Sequence, residues 1–123
     1  MSGEADPRRR LDADPRRRLD AERVATRDRV NSLDAELRRL EESAAEVATD
    51  DEHDPDGSGG LAVGRAQLQA LREQARQQLA EIEAAVQRLD AGRYGVCERC
   101  GRPVAAERLA ARPTARVCID CAG

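Results

Sequence analysis

All four cysteines of the 123-residue chain lie in its last 27 residues, as two pairs: Cys97-Glu98-Arg99-Cys100 and Cys118-Ile119-Asp120-Cys121, with seventeen residues between them. Each C-x2-C pair spans one tight turn, and two such pairs can supply four thiolates at tetrahedral geometry. Thiolate is a soft ligand that suits zinc, and four of them leave no open position for a reacting water. The spacing therefore predicts one structural, non-catalytic Zn2+ held by Cys97, Cys100, Cys118 and Cys121. Two disulfides and a redox switch are the other readings of the same residues. Reduced thiols are expected, because the charged N-terminus has no apolar signal-peptide core and points to the cytoplasm.

A second concentration of chemistry lies mid-chain. Between Arg39 and Arg65 there is no Lys or Arg, while Glu41, Glu42, Glu46, Asp50, Asp51, Glu52, Asp54 and Asp56 crowd the same stretch. Such a cluster is either a solvated turn or a surface for something cationic. Glu52-x-Asp54-x-Asp56-Gly57 begins like a calcium loop, but Glu stands at the first position where Asp is required, and Val63 at the twelfth where Glu is required. His53 is the sole histidine. With no nucleophile–base pair, phosphate loop or open metal site, an enzyme is not expected.

Elements must position both groups. The chain has one aromatic residue, Tyr94, and 37% charged residues, the composition of solvated helices rather than of a thick core. Val30, Leu33, Leu37, Leu40, Ala44 and Val47 follow a heptad seam, and Leu68, Leu71, Ala75, Leu79, Ile82, Val86 and Leu89 follow another with one 4-4 step. Pro55 and the glycines of residues 49–60 separate the two. Asp14-Pro15 is the expected start of the first helix and Gly92 the expected stop of the second. The expected organisation is a flexible tail over 1–14, a coiled-coil hairpin over 15–91 with an acidic tip at 49–60, and a C4 finger over 92–123. A short helix over 105–111 is expected between the cysteine pairs. The fold class is mostly α, an antiparallel helical hairpin of about 45 Å followed by the small finger.

The N-terminal stretch repeats DPRRRLDA at 6–13 and 14–21. From Ser2 to Glu22 its six arginines are balanced by six acids, so little counterion release on DNA is available. The second copy is read as the base of the first hairpin helix and the first as a duplicated tail, which makes the repeat peripheral. All 21 basic residues are arginine, a bias that codon usage in a GC-rich genome explains, and the net charge of −3 disfavours a general nucleic-acid binder. The finger lacks an aromatic stacking platform and a recognition helix. No run of about 18 apolar residues is available to span a membrane.

Tyr94-Gly95-Val96-Cys97-x-x-Cys100-Gly101 and the run ARPTARVCIDC resemble the DksA/TraR family of bacterial zinc-finger transcription factors most strongly over residues 91–121. The resemblance implies binding to RNA polymerase rather than to DNA. The hairpin would enter the secondary channel and acidic residues at its tip would approach the catalytic centre, in some members together with the alarmone ppGpp. A monomer is expected, in the cytoplasm to which the charged N-terminus points. The family's tip motif D-x-x-D-x-A is matched by Asp51 and Asp54, with Asp56 in the place of the alanine. The competing reading is a zinc-finger adaptor whose hairpin binds another protein and whose acids serve solubility; zinc release by oxidants is a third.

Overall fold

The computed structural model describes the backbone of residues 7–49 and 55–122 and the side chains of 15–46 and 62–122. Helix α1 runs Pro7–Thr49 and α2 Pro55–Asp90; α3, Ala106–Ala111, and α4, Ile119–Ala122, are short. The described residues contain no strand, only an isolated antiparallel bridge between Val96 and Pro103. The mostly α, helical-hairpin class expected from the two seams is the class observed.

Both long helices start earlier than the sequence implies. α1 begins at Pro7 and carries Pro15 inside it, so Pro15 does not start the helix. Proline's fixed φ is helical; what it forfeits is one amide bond and some clearance from the carbonyl four residues back, about 3 kcal/mol. Arg, Leu and Ala on either side are strong helix formers, and the helix has no glycine anywhere from 7 to 49. α2 begins at Pro55, a favourable first position, and includes Gly57, Gly59 and Gly60, which were expected to keep the helix from starting before Leu61. Its end is the one expected. Gly92 has φ +73°, its N–H donates to the Leu89 carbonyl at 3.1 Å, and the Arg93 N–H donates to the Arg88 carbonyl at 2.8 Å. These are the two bonds of a Schellman cap, whose left-handed position strongly favours glycine.

The described residues form two compact units, the first holding those up to Val24 and from Leu79 onward, the second those from Ala25 to Gln78. In the second, Thr26, Val30, Leu37 and Ala75 are buried, while Leu33, Leu40, Ala44 and Leu68 are half-buried and Leu71 is 40% exposed. Two helices bury a single stripe and have no third layer to cover its flanks. Asp34 meets Arg72 at 3.3 Å and Arg76 at 3.7 Å. One carboxylate between two guanidiniums a turn apart fixes the local register more than it adds stability, since all three side chains keep substantial contact with water.

In the first unit Leu19, Ile82, Ala85, Val86 and Leu89 form the core, with Tyr94 packed against it. Leu19 is fully buried. Leu19 and Thr26 continue the heptad seam toward the N-terminus, so the apolar contact starts eleven residues before Val30. Arg16 pairs with Asp90 at 2.7 Å, tying the last residue of α2 to α1. The second repeat copy is thus structural rather than peripheral.

Candidate metal centre

The first cysteine pair sits on a tight turn. The Cys97 N–H donates to the Arg102 carbonyl at 2.8 Å, the Gly101 N–H returns to the Cys97 carbonyl at 3.0 Å, and the Val104 N–H reaches the Gly95 carbonyl at 2.7 Å. Gly101 has φ +74° and Gly95 φ +80°. At Gly95 a Cβ would meet the Leu109 side chain only at ordinary contact distance, 3.4 Å, so it is the left-handed backbone conformation that selects glycine there. The second pair opens α4, where the Cys121 and Ala122 amides donate to the Cys118 carbonyl at 3.1 and 3.0 Å. The Glu98 N–H donates to the Arg116 carbonyl at 2.9 Å and joins the two arms.

The four sulfurs lie within 4.8 Å of one another. Zinc–sulfur bonds of about 2.3 Å place the sulfurs of a tetrahedral site about 3.8 Å apart. Cys100 Sγ and Cys118 Sγ are 3.7 Å apart, so the residues fit the ion. Around it Cys97, Val104 and Ala115 are buried, with Leu109 and Val117 against them. Three small apolar residues are a thin core, and bound zinc would supply the folding energy they lack.

The thiols are not alike. Burial alone would push Cys97 up, but the amides of Cys118, Cys100 and Arg99 bring it down to about 6. Cys100 is lowered by the Arg102 amide, yet its bond with Cys97, burial and its bond with Cys118 leave it raised. Cys121 is pushed up to about 12 by its bonds with Cys118 and Cys97. Cys97 thus favours the thiolate, whereas Cys100 and Cys121 hold their protons more tightly than a free thiol, and a metal must displace those protons to bind.

Arginines fasten the finger by donating to backbone carbonyls. Arg108 Nε reaches the Val117 carbonyl at 3.0 Å and Arg99 the Cys121 carbonyl at 3.0 Å. Arg18 of the second repeat copy donates to the Ala110 carbonyl in the last turn of α3, and Arg88 of α2 to the Thr114 carbonyl at 3.3 Å. The Tyr94 hydroxyl donates to the Pro113 carbonyl at 2.7 Å. Burial raises the Tyr94 pKa, against the lowering effect of the nearby Arg88 charge. Beside the site is a cavity of about 340 Å³ lined by Arg99, Arg108, Arg112 and Arg116, with Glu81 and Glu98.

The site thus holds together the four predicted ligands, Cys97, Cys100, Cys118 and Cys121. Asp51 and Asp54 lie outside the described residues. Asp56 falls in the first turn of α2, with its side chain outside them. Arg18 and Arg88 were not anticipated. Nothing in the spacing of two arginines on helices marks them as partners of a finger's carbonyls.

The family model of the prokaryotic DksA/TraR C4-type zinc finger matches residues 92–123, the segment that holds both cysteine pairs. Residues 92–123 are a zinc finger of the DksA/TraR family. The chain is 44% identical over 50 residues to the RNA polymerase-binding transcription factor DksA of Haemophilus influenzae, covering 41% of this chain and 34% of that protein. It is 32% identical over 85 residues to general stress protein 16O of Bacillus subtilis, covering 69% of this chain and 52% of that one. The matches thus span about half or less of these relatives' length. The solved structure of transcription factor DksA2 from Pseudomonas aeruginosa superposes with a TM-score of 0.75 at 29% identity, over 90% of this chain and 79% of that one. The likeness therefore extends beyond the finger to the helices, and with the sulfur geometry it makes the C4 site a zinc site.

Proposed function

We propose that this chain is a non-enzymatic transcription regulator that binds RNA polymerase as a monomer in the bacterial cytoplasm. Its hairpin enters the secondary channel of the polymerase and brings Asp51, Asp54 and Asp56 toward the catalytic centre, where they act electrostatically on initiation. The observation that carries this reading is the combination of a DksA/TraR finger with the helical hairpin in one chain, at a TM-score of 0.75 to DksA2. Two further features support it. The residues joining α1 to α2 are acidic and free of Lys and Arg, which suits a basic channel. No described helix is long and apolar enough to cross a membrane. Zinc serves the fold: four thiolates hold it closed, and the finger it orders is fastened to α1 and α2.

The family resemblance names ppGpp as a co-effector. The arginine-lined cavity beside the metal has the charge for a polyphosphate, offset in part by Glu81 and Glu98. Affinity capture with purified RNA polymerase at low and moderate salt tests the main reading. Retention of polymerase that falls with rising salt is expected; no retention at low salt would favour an adaptor of some other protein.

A further inference from the structure

Arg88 is the described arginine most deeply removed from water, 8% exposed, and it stands on the last turn of α2. Burying a guanidinium is costly unless its donors are used. Burial lowers its pKa, and the neighbouring Glu98 charge works against that. Its two terminal nitrogens face different arms of the finger. Nη1 lies 3.7 Å from the Glu98 carboxylate, between the first pair of ligands, Cys97 and Cys100. Nη2 donates at 3.3 Å to the Thr114 carbonyl, in the segment that leads to Cys118. The two arms are also joined directly by the Glu98 amide and the Arg116 carbonyl. One rigid fork on α2 thus spans both ligand arms.

We infer that Arg88 is a positioning residue for the metal centre, holding the two Cys-x-x-Cys arms at their mutual distance from outside the coordination sphere. It does not touch the sulfurs; it acts through Glu98 and the Thr114 carbonyl. The planar guanidinium suits this role because it offers two donors in fixed relation, whereas an ammonium is a point charge. The ligand pairs meet in register only while both arms lie on α2. Linkage makes the effect reciprocal, so an ion bound by the four thiolates tightens the finger against α2. The inference rests on the zinc site alone and stands whether or not the chain binds polymerase.

Zinc affinity of the full chain, measured by competition with a chromophoric chelator, tests it. Outer-shell partners typically control affinity by 10–100-fold, so Arg88→Met is expected to weaken zinc binding about tenfold. Metal-free helicity by circular dichroism should match the parent, which separates positioning from a folding defect. Glu98→Gln, at an exposed side chain, should weaken binding a few-fold, and the double variant no more than Arg88→Met alone. Arg88→Lys should recover only part of the loss. Parental zinc affinity in Arg88→Met, or effects of the two substitutions that simply multiply, overturns the inference. Should Arg88→Met not fold, hydrogen exchange of the parent decides. Chelation must then deprotect the amides of residues 85–90, and unchanged protection overturns the inference equally.

Discussion

Leu19→Ala probes the joint between the N-terminal repeat and the rest of the molecule. Leu19 is fully buried and packs in one cluster with Ile82, Ala85, Val86 and Leu89. Truncating a buried leucine to alanine costs about 2–5 kcal/mol, depending on how far the site collapses. Here the neighbours all sit on α2, the one helix facing Leu19, which can close in, so about 3 kcal/mol is expected. A chain of this size has a total stability of roughly 6–18 kcal/mol. The loss would lower the melting temperature by about 10 °C, at roughly 3–5 °C per kcal/mol for this length. Thermal melts followed at 222 nm in excess zinc give the shift directly. Val24→Ala, at a side chain 59% exposed, is the control and should move the midpoint by less than about 2 °C. If Leu19→Ala melts within 2 °C of the parent, the base of α1 is not part of the core, and the contacts of Arg16 and Arg18 lose their foundation.

Zinc binding at pH 7.5 should release at least two protons, because Cys121 is pushed up to about 12 and Cys100 is raised, while Cys97 at about 6 is already ionised. Calorimetry in buffers of different ionisation heat counts them, and affinity should fall as pH falls. Tyr94 should ionise above its ordinary value of 10.0, seen as a late rise in absorbance at 295 nm. Its pKa is raised in the folded state, so its contribution to stability is complete below pH 10 and is lost as pH climbs through the folded value. Cys100→Ser should abolish stoichiometric zinc and expose the amides of residues 93–122 to exchange, while most helicity at 222 nm survives in α1 and α2.

The four cysteines were legible because metal chemistry fixes ligand type and spacing so tightly that the linear pattern carries the three-dimensional one. The Gly92 stop was legible for a similar reason: a left-handed cap admits few residues. The helix starts were not. Pro15 reads as a beginning, yet a single lost amide bond is outweighed when the residues on both sides favour helix. Leu19 and Thr26 could have been found by extending the seam back from Val30, but a threonine interrupts its apolar character. Arg18 and Arg88 act on carbonyls 92 and 26 residues away, and no local pattern encodes such long-range donation. Their role emerges only when the finger's backbone is placed beside the two helices.

In the proposed function the acidic residues between α1 and α2 act on RNA polymerase. In vitro transcription with purified polymerase, comparing the parent with the Asp51→Asn, Asp54→Asn double variant, tests it most directly. Folding should be intact, with parental helicity and zinc content. The parent should change open-complex lifetime and transcript yield at a sensitive promoter, and the double variant should leave both at the level of polymerase alone. Regulation by the variant equal to that of the parent would contradict the account.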